Sequence, residues 1–180
     1  MLNKGIKQIY NKLDSEEKRK FKDACYSGFS VDINGRMDGG KLISGEEGQL
    51  VWIIAGNLIH RKEYALALKV LNNGMSFATE RTDKSQCHIN FALAFEKLKN
   101  IEQCNFHCWK AISLGHSGSY AYERLIKNYV KYKEYEKAVE VCDLVLEREG
   151  IFNPSTWKSI SEYASKRKEF ILRQLEKRNK

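Results

Sequence analysis

The chain has almost no proline: Pro154 is the one such residue in 180. With so few helix breakers, most of the chain is free to be helical. Long apolar runs are missing as well. The longest, Leu50 to Gly56, is too short to span a bilayer. The opening MLNKGIKQIYNKLDSEE lacks the apolar stretch of a secretory signal, so a soluble, cytoplasmic protein is expected. There is no disulfide framework either. The five cysteines are an odd number without regular spacing, which reads as reduced, buried thiols. No Ser-His-Asp or Cys-His-Asn set stands out, and no carboxylate pair has a catalytic context. The expectation is a binding protein, not an enzyme, with no cofactor.

What is present fits one folded unit. Hydrophobic residues make up 42% and charged residues 30%, an ordinary globular balance. Lysine and arginine number 31 against 23 acidic residues, a net charge of +8. Much of that excess lies late in the chain, at Lys158, Lys166, Arg167, Lys168, Arg173, Lys177, Arg178 and Lys180. Such a surface favours anionic partners, although a solvated helix face carries the same signature.

Three parts follow one another. In the first, Ile6, Ile9, Tyr10 and Leu13 form a helical apolar stripe. Asp14 or Ser15 caps a second helix with Phe21, Ala24 and Cys25 on its apolar face, and Gly28 ends it. The second part, residues 29–46, is glycine-rich, and Asn34-Gly35 suits a tight hairpin turn. A small hairpin, an ordered loop over the helices and a mobile loop are all open readings of it. From residue 47 the chain is helical again.

That last part carries the main signal. LVWIIAGNLIHRKEYALALKVLNNGM, HINFALAFEKLKNIEQCNFHCWKAI and YERLIKNYVKYKEYEKAVEVCDLVL each read as helix, polar turn and helix. Ala67, Cys104 and Ala138 are 37 and then 34 residues apart. Tyr64, Ile101 and Tyr135 keep that spacing, as do Gly74, Ala111 and Val145. A period near 34 marks an array of helical hairpins. Close-packed helices need small side chains where their axes approach, and Ala55, Ala92, Ala67, Cys104 and Ala138 fit those slots. Gly74 and Ala111 are expected where the next repeat leans in. A last helix from Pro154, capped by Ser155, places Trp157, Ile160, Tyr163, Ala164, Phe170, Ile171 and Leu175 on its apolar stripe.

On these residues the segment from about 48 to 152 resembles three divergent tetratricopeptide repeats; KEYALALKVL and KEYEKAVEVCDLVL lie closest to that family's second helix. Ile126 and Val145 depart from it, standing where the family places small residues. The resemblance implies an all-α, right-handed superhelical array with repeats at 48–81, 85–118 and 119–152. Residues 1–46 would pack on it, helix 154–178 would cap it, and the whole would form one structural unit. It also implies a concave face lined by the first helix of each hairpin. The inward residues would be Trp52, Gly56 and His60; Gln86, Ile89, Asn90, Leu93 and Lys97; and Tyr120, Glu123, Arg124, Lys127 and Lys131. Arg124, Lys127 and Lys131 share one helix face. An acidic peptide or a C-terminal carboxylate could sit there. Some relatives clamp the carboxylate tails of chaperones. Asn90 and Arg124 match two of those five positions, while Trp52, Gly56 and Tyr120 replace the rest, which argues against that ligand. The expected role is a protein-binding adaptor or scaffold; a nucleic-acid-binding array is the alternative.

Other chemistry fits less well. Gly35 to Lys41 has the spacing of a phosphate loop, but Leu42 follows where Ser or Thr is needed. Asp32, Asn34 and Asp38 hint at a calcium loop, yet Arg36 occupies a ligand position. Cys87, His88, Cys104, His107 and Cys108 could hold zinc, but periodic packing accounts for the cysteines without metal. Arg81 and His88 loosely match the pair of some helical ribonucleases, with Arg81 expected in a linker.

Overall fold

The computed structural model describes residues 4–27, 41–42 and 45–178. Within these residues the chain forms nine α-helices. They are α1 (Lys4–Asn11), α2 (Ser15–Ala24), α3 (Glu47–His60), α4 (Tyr64–Gly74), α5 (Arg81–Lys97), α6 (Ile101–Ser113), α7 (Tyr120–Lys131), α8 (Tyr135–Leu146) and α9 (Pro154–Arg178). A two-residue antiparallel pairing joins β1 (Tyr26–Ser27) to β2 (Lys41–Leu42). The proposed Asn34-Gly35 turn, the phosphate-loop spacing from Gly35 to Gly40 and the calcium-like trio lie outside the described residues. Among the described residues no helix is long and apolar enough to cross a membrane.

Local sequence sets the helix ends. Asp14 caps α2: its carboxylate accepts the Glu17 N–H at 2.8 Å while Glu17 accepts the Asp14 N–H at 3.0 Å. That helix stops at Ala24, ahead of Gly28. Asn153, not Ser155, caps α9, accepting the Thr156 N–H at 2.8 Å. Pro154 then takes the first helical position, where its missing N–H costs nothing.

The three hairpin turns repeat one geometry. Lys62, Lys99 and Lys133 sit at φ 66°, 60° and 59°. In each, two N–H groups reach back to the preceding helix: Glu63 to Leu58 and Lys62 to Ile59, Asn100 to Phe95 and Lys99 to Glu96, Glu134 to Tyr129 and Lys133 to Val130. This is the Schellman stop, made with lysine where glycine is usual. The lysines are 37 and 34 residues apart, as are Tyr64, Ile101 and Tyr135, which open α4, α6 and α8.

Packing follows chain order. α3 lies on α4, α5 on α6 and α7 on α8, and each pair contacts the next. This is helix-on-helix packing of the helical-repeat kind. At one end α1 and α2 cover α3 and α4; at the other α9 covers α8 and part of α7. The small-residue slots Ala55, Ala92, Ala67, Cys104 and Ala138 are all fully buried. One apolar cluster runs from Ile6 to Phe91, a second from Ile89 to Ile171, and Phe95 packs against both. Two expectations need correction. Gly74 faces Val51 and Ile9, where an added Cβ would lie 2.6 and 2.9 Å away, so it serves its own hairpin and α1 and not the following repeat. Phe170 leaves the apolar stripe of α9: it is 43% exposed, while Ile160, Ala164 and Ile171 face inward.

Candidate functional site

The first helices α3, α5 and α7 carry all the residues expected to face a partner, and they fall into two groups. Across α3 and α5, Trp52 and Asn90 are tied to each other. The Asn90 amide donates to the Trp52 carbonyl at 2.6 Å, and the Trp52 indole donates to Asp83 at 3.0 Å. Gly56 opposes the same amide, its Cβ position 3.7 Å from Asn90 Nδ2. Gln86 is half-buried; His60 and Lys97 are exposed. None of these residues lines the two depressions that hold the cations of α7.

Across α5 and α7 the arrangement is open and charged. A depression of about 560 Å³ is lined by Glu96, Lys99, Arg124, Lys127, Lys131 and Tyr132, together with Ile101 and Asn128. A smaller one, about 170 Å³, continues past Lys127 and Lys131 to Tyr163 and Arg167 of α9, over Ile126 and Val130. Asn128 ties α7 to α6 beneath this site, donating to Asn105 at 2.6 Å. The Tyr163 ring lies between two cations, with Lys127 at 5.6 Å and Arg167 at 5.4 Å from its centroid.

Glu96 organises the inner end. Its carboxylate takes the Arg124 guanidinium at 2.9 Å and the Tyr120 hydroxyl at 2.8 Å. Burial, followed by the hydrogen bond to Glu96, pushes the Tyr120 phenol well above its ordinary range, so it remains a donor. Arg124 also lies 5.5 Å over the Tyr120 ring. The guanidinium fork is therefore already engaged. Lys127 meets Glu123 at 3.2 Å, both partly exposed, and such a pair is weakly held. A ligand reaching this surface meets the ammonium groups of Lys99, Lys127 and Lys131 and the Arg167 guanidinium. These are point charges suited to carboxylates or phosphates.

Glu96, Lys99, Tyr132, Tyr163 and Arg167 were not expected here from sequence. Lys99 keeps the register of the turns, which is a usable signal. Glu96 pairs across 28 residues and Arg167 approaches from the last helix, so neither leaves a local pattern.

The cysteine and histidine cluster resolves differently. Cys87, Cys104 and Cys108 are fully buried. Burial holds the Cys25 and Cys87 thiols up at about 12 and Cys142 at about 11, far from reactive thiolates. His88 and His107 hydrogen-bond to each other, Nδ1 to Nδ1, at 2.8 Å. The His107 ring stacks on Phe91 and Phe95 at 4.4 and 5.6 Å. Among the described residues no three His, Cys, Asp or Glu side chains converge as a metal site. Arg81 opens α5 instead of lying in a linker, and its guanidinium donates to the Ser113 carbonyl at 3.1 Å, closing the end of α6.

No family model matches the chain, and neither curated proteins nor solved structures give a match.

Proposed function

We propose that the chain is a divergent tetratricopeptide-type array, right-handed in its course, which acts as an adaptor by holding an acidic segment of a partner protein against α5, α7 and α9. The observation that carries this reading is the run of Lys99, Arg124, Lys127, Lys131 and Arg167 along two adjoining depressions, in whose linings Glu96 alone is acidic. The repeating left-handed lysine turns support the family assignment. Apolar surface at Ile126, Val130 and Tyr163 adds a floor for side chains between the acids of a bound peptide.

The test is fluorescence anisotropy with the full chain and a labelled peptide rich in Asp and Glu. Lys127→Ala/Lys131→Ala is expected to weaken binding about tenfold, equal to roughly 1.4 kcal/mol. Glu96→Gln should strengthen it, because Arg124 gains a free fork. Equal affinity for all three proteins would overturn the proposal.

One observation favours a second reading, single-stranded nucleic acid. Tyr132 is 52% exposed, with Lys131 5.6 Å from its ring, a pairing that serves base stacking beside a phosphate. Under that reading Tyr132→Ala weakens an oligonucleotide complex, and added salt weakens it steeply.

A further inference from the structure

A further depression, about 600 Å³, lies on the other row of helices, between α6 and α8. Trp109, Ile112, Val139 and Leu144 give it an apolar floor. Its α8 edge carries four acids, Glu136, Glu140, Asp143 and, at the C-cap, Glu147, spaced 4, 3 and 4 residues apart, with Arg148 beyond them. Like charges one turn apart repel, and only Glu136 and Asp143 are offset by partners within the molecule. Glu140 and Glu147 make no ion pair among the described residues. Asp143 pairs with Lys168 and Glu136 lies 3.9 Å from Arg178, both from α9. Inside one molecule, then, the acids of α8 already recognise the cations of α9.

Among the described residues no other element covers the outer face of α9; Arg173 pairs there only with Glu169 of its own helix, an exposed pair that is weakly held. Lys166, Phe170, Arg173 and Lys177 are all exposed and repeat the spacing of 4, 3 and 4 residues. Both stripes span about 16 Å at the helical rise. Phe170 is a large apolar side chain with no place in the core of its own chain.

We propose that the α6–α8 groove is a docking site for the α9 outer stripe of a second copy of this chain. Phe170 seats on the Trp109 and Val139 floor, and Lys166, Arg173 and Lys177 meet the unpaired carboxylates Glu140 and Glu147. The two surfaces differ, so the contact is head-to-tail: in a pair, one molecule keeps a free stripe and the other a free groove. Its small area makes it weak and salt-sensitive. It uses none of the residues of the α5–α7 depressions, so it stands or falls apart from the adaptor reading.

Sedimentation velocity of the full chain tests it. Concentration-dependent association is expected, about tenfold weaker at roughly 0.5 M than at roughly 0.05 M NaCl. Glu140→Lys/Glu147→Lys and Lys166→Glu/Lys177→Glu should each remain monomeric alone, while their equimolar mixture forms a complex. All four positions are solvent-facing, three on helices and Glu147 at the C-cap of α8, and far-UV circular dichroism checks that the fold is kept. Phe170→Ser should abolish association without changing charge. A wild-type chain that stays monomeric at low salt, association indifferent to both reversals, or a mixture that does not combine would each overturn the proposal.

Discussion

Hairpin α3–α4 and hairpin α5–α6 run in one register, 37 residues apart, and fill it with opposite means. The first relies on absent side chains: Gly48 and Gly74 stand where the second has Ser85 and Ala111. A Cβ at Gly48 would lie 2.8 Å from the Ala78 backbone, so two stretches of main chain pass there with no room for a side chain. The second relies on bulk and polarity. Where the first has Val51 and Val70, it has His88 and His107, stacked among phenylalanines and sharing a hydrogen bond. The same backbone path is thus held by close approach in one hairpin and by ring packing in the next. The common element is the turn, not the filling.

The histidine pair offers the largest way to sharpen this contrast. Burial, then the charge of His88, pulls His107 from 6.5 down to about 4, and burial lowers His88 too. The unfolded chain therefore binds protons that the folded chain refuses. Stability rises with pH across this window and is lost as pH falls from about 6.5 towards 4, by up to about 3 kcal/mol from His107. Urea midpoints measured from pH 7 to 4 check it. His107→Phe keeps the stack and should flatten the profile; an unchanged slope would break the account.

Next comes Gly48. Gly48→Ser should cost about 2 kcal/mol, because the neighbour is backbone and cannot yield. The reverse change in the second hairpin, Ser85→Gly, should cost about 1 kcal/mol, through helix propensity and the lost contact of Ser85 with His116. Equal costs in denaturant melts would erase the difference between the hairpins.

The smallest effect concerns what they share. Lys99→Gly should raise stability by up to about 1 kcal/mol, since the left-handed conformation strains any residue with a Cβ. A loss of stability in a thermal melt would show that the Lys99 side chain contributes more than the turn costs it.

Much of the architecture was legible because its causes are local and periodic. Tyr64, Ile101 and Tyr135 marked the register and open the second helix of each hairpin. Ile6, Ile9, Leu13, Phe21, Ala24 and Cys25 marked the inner faces at the start, and all are buried. What failed depended on direction or distance. Phe170 adjoins Ile171, and one residue of helix turns a side chain by about 100°, enough to move it from core to solvent. Gly74 was assigned to the wrong neighbour because α1, near the start of the chain, returns to pack on α4. In the candidate site, the cations of α7 could be read as one face, but their counterion Glu96 could not. The equivalent positions in the other hairpins are Ile59 and Val130, so the register gives no hint of an acid there.

The pair of apolar clusters that meet at Phe95 has a mechanical meaning. A stack whose parts grip only their neighbours behaves like springs in series: each junction yields separately, and the total bend is the sum of small rotations. With α5 lending side chains to both clusters, the middle hairpin is the one that both junctions share. The larger charged depression spans one such junction, with Glu96 and Lys99 on one hairpin and Arg124, Lys127 and Lys131 on the next, so its width follows any rotation between them.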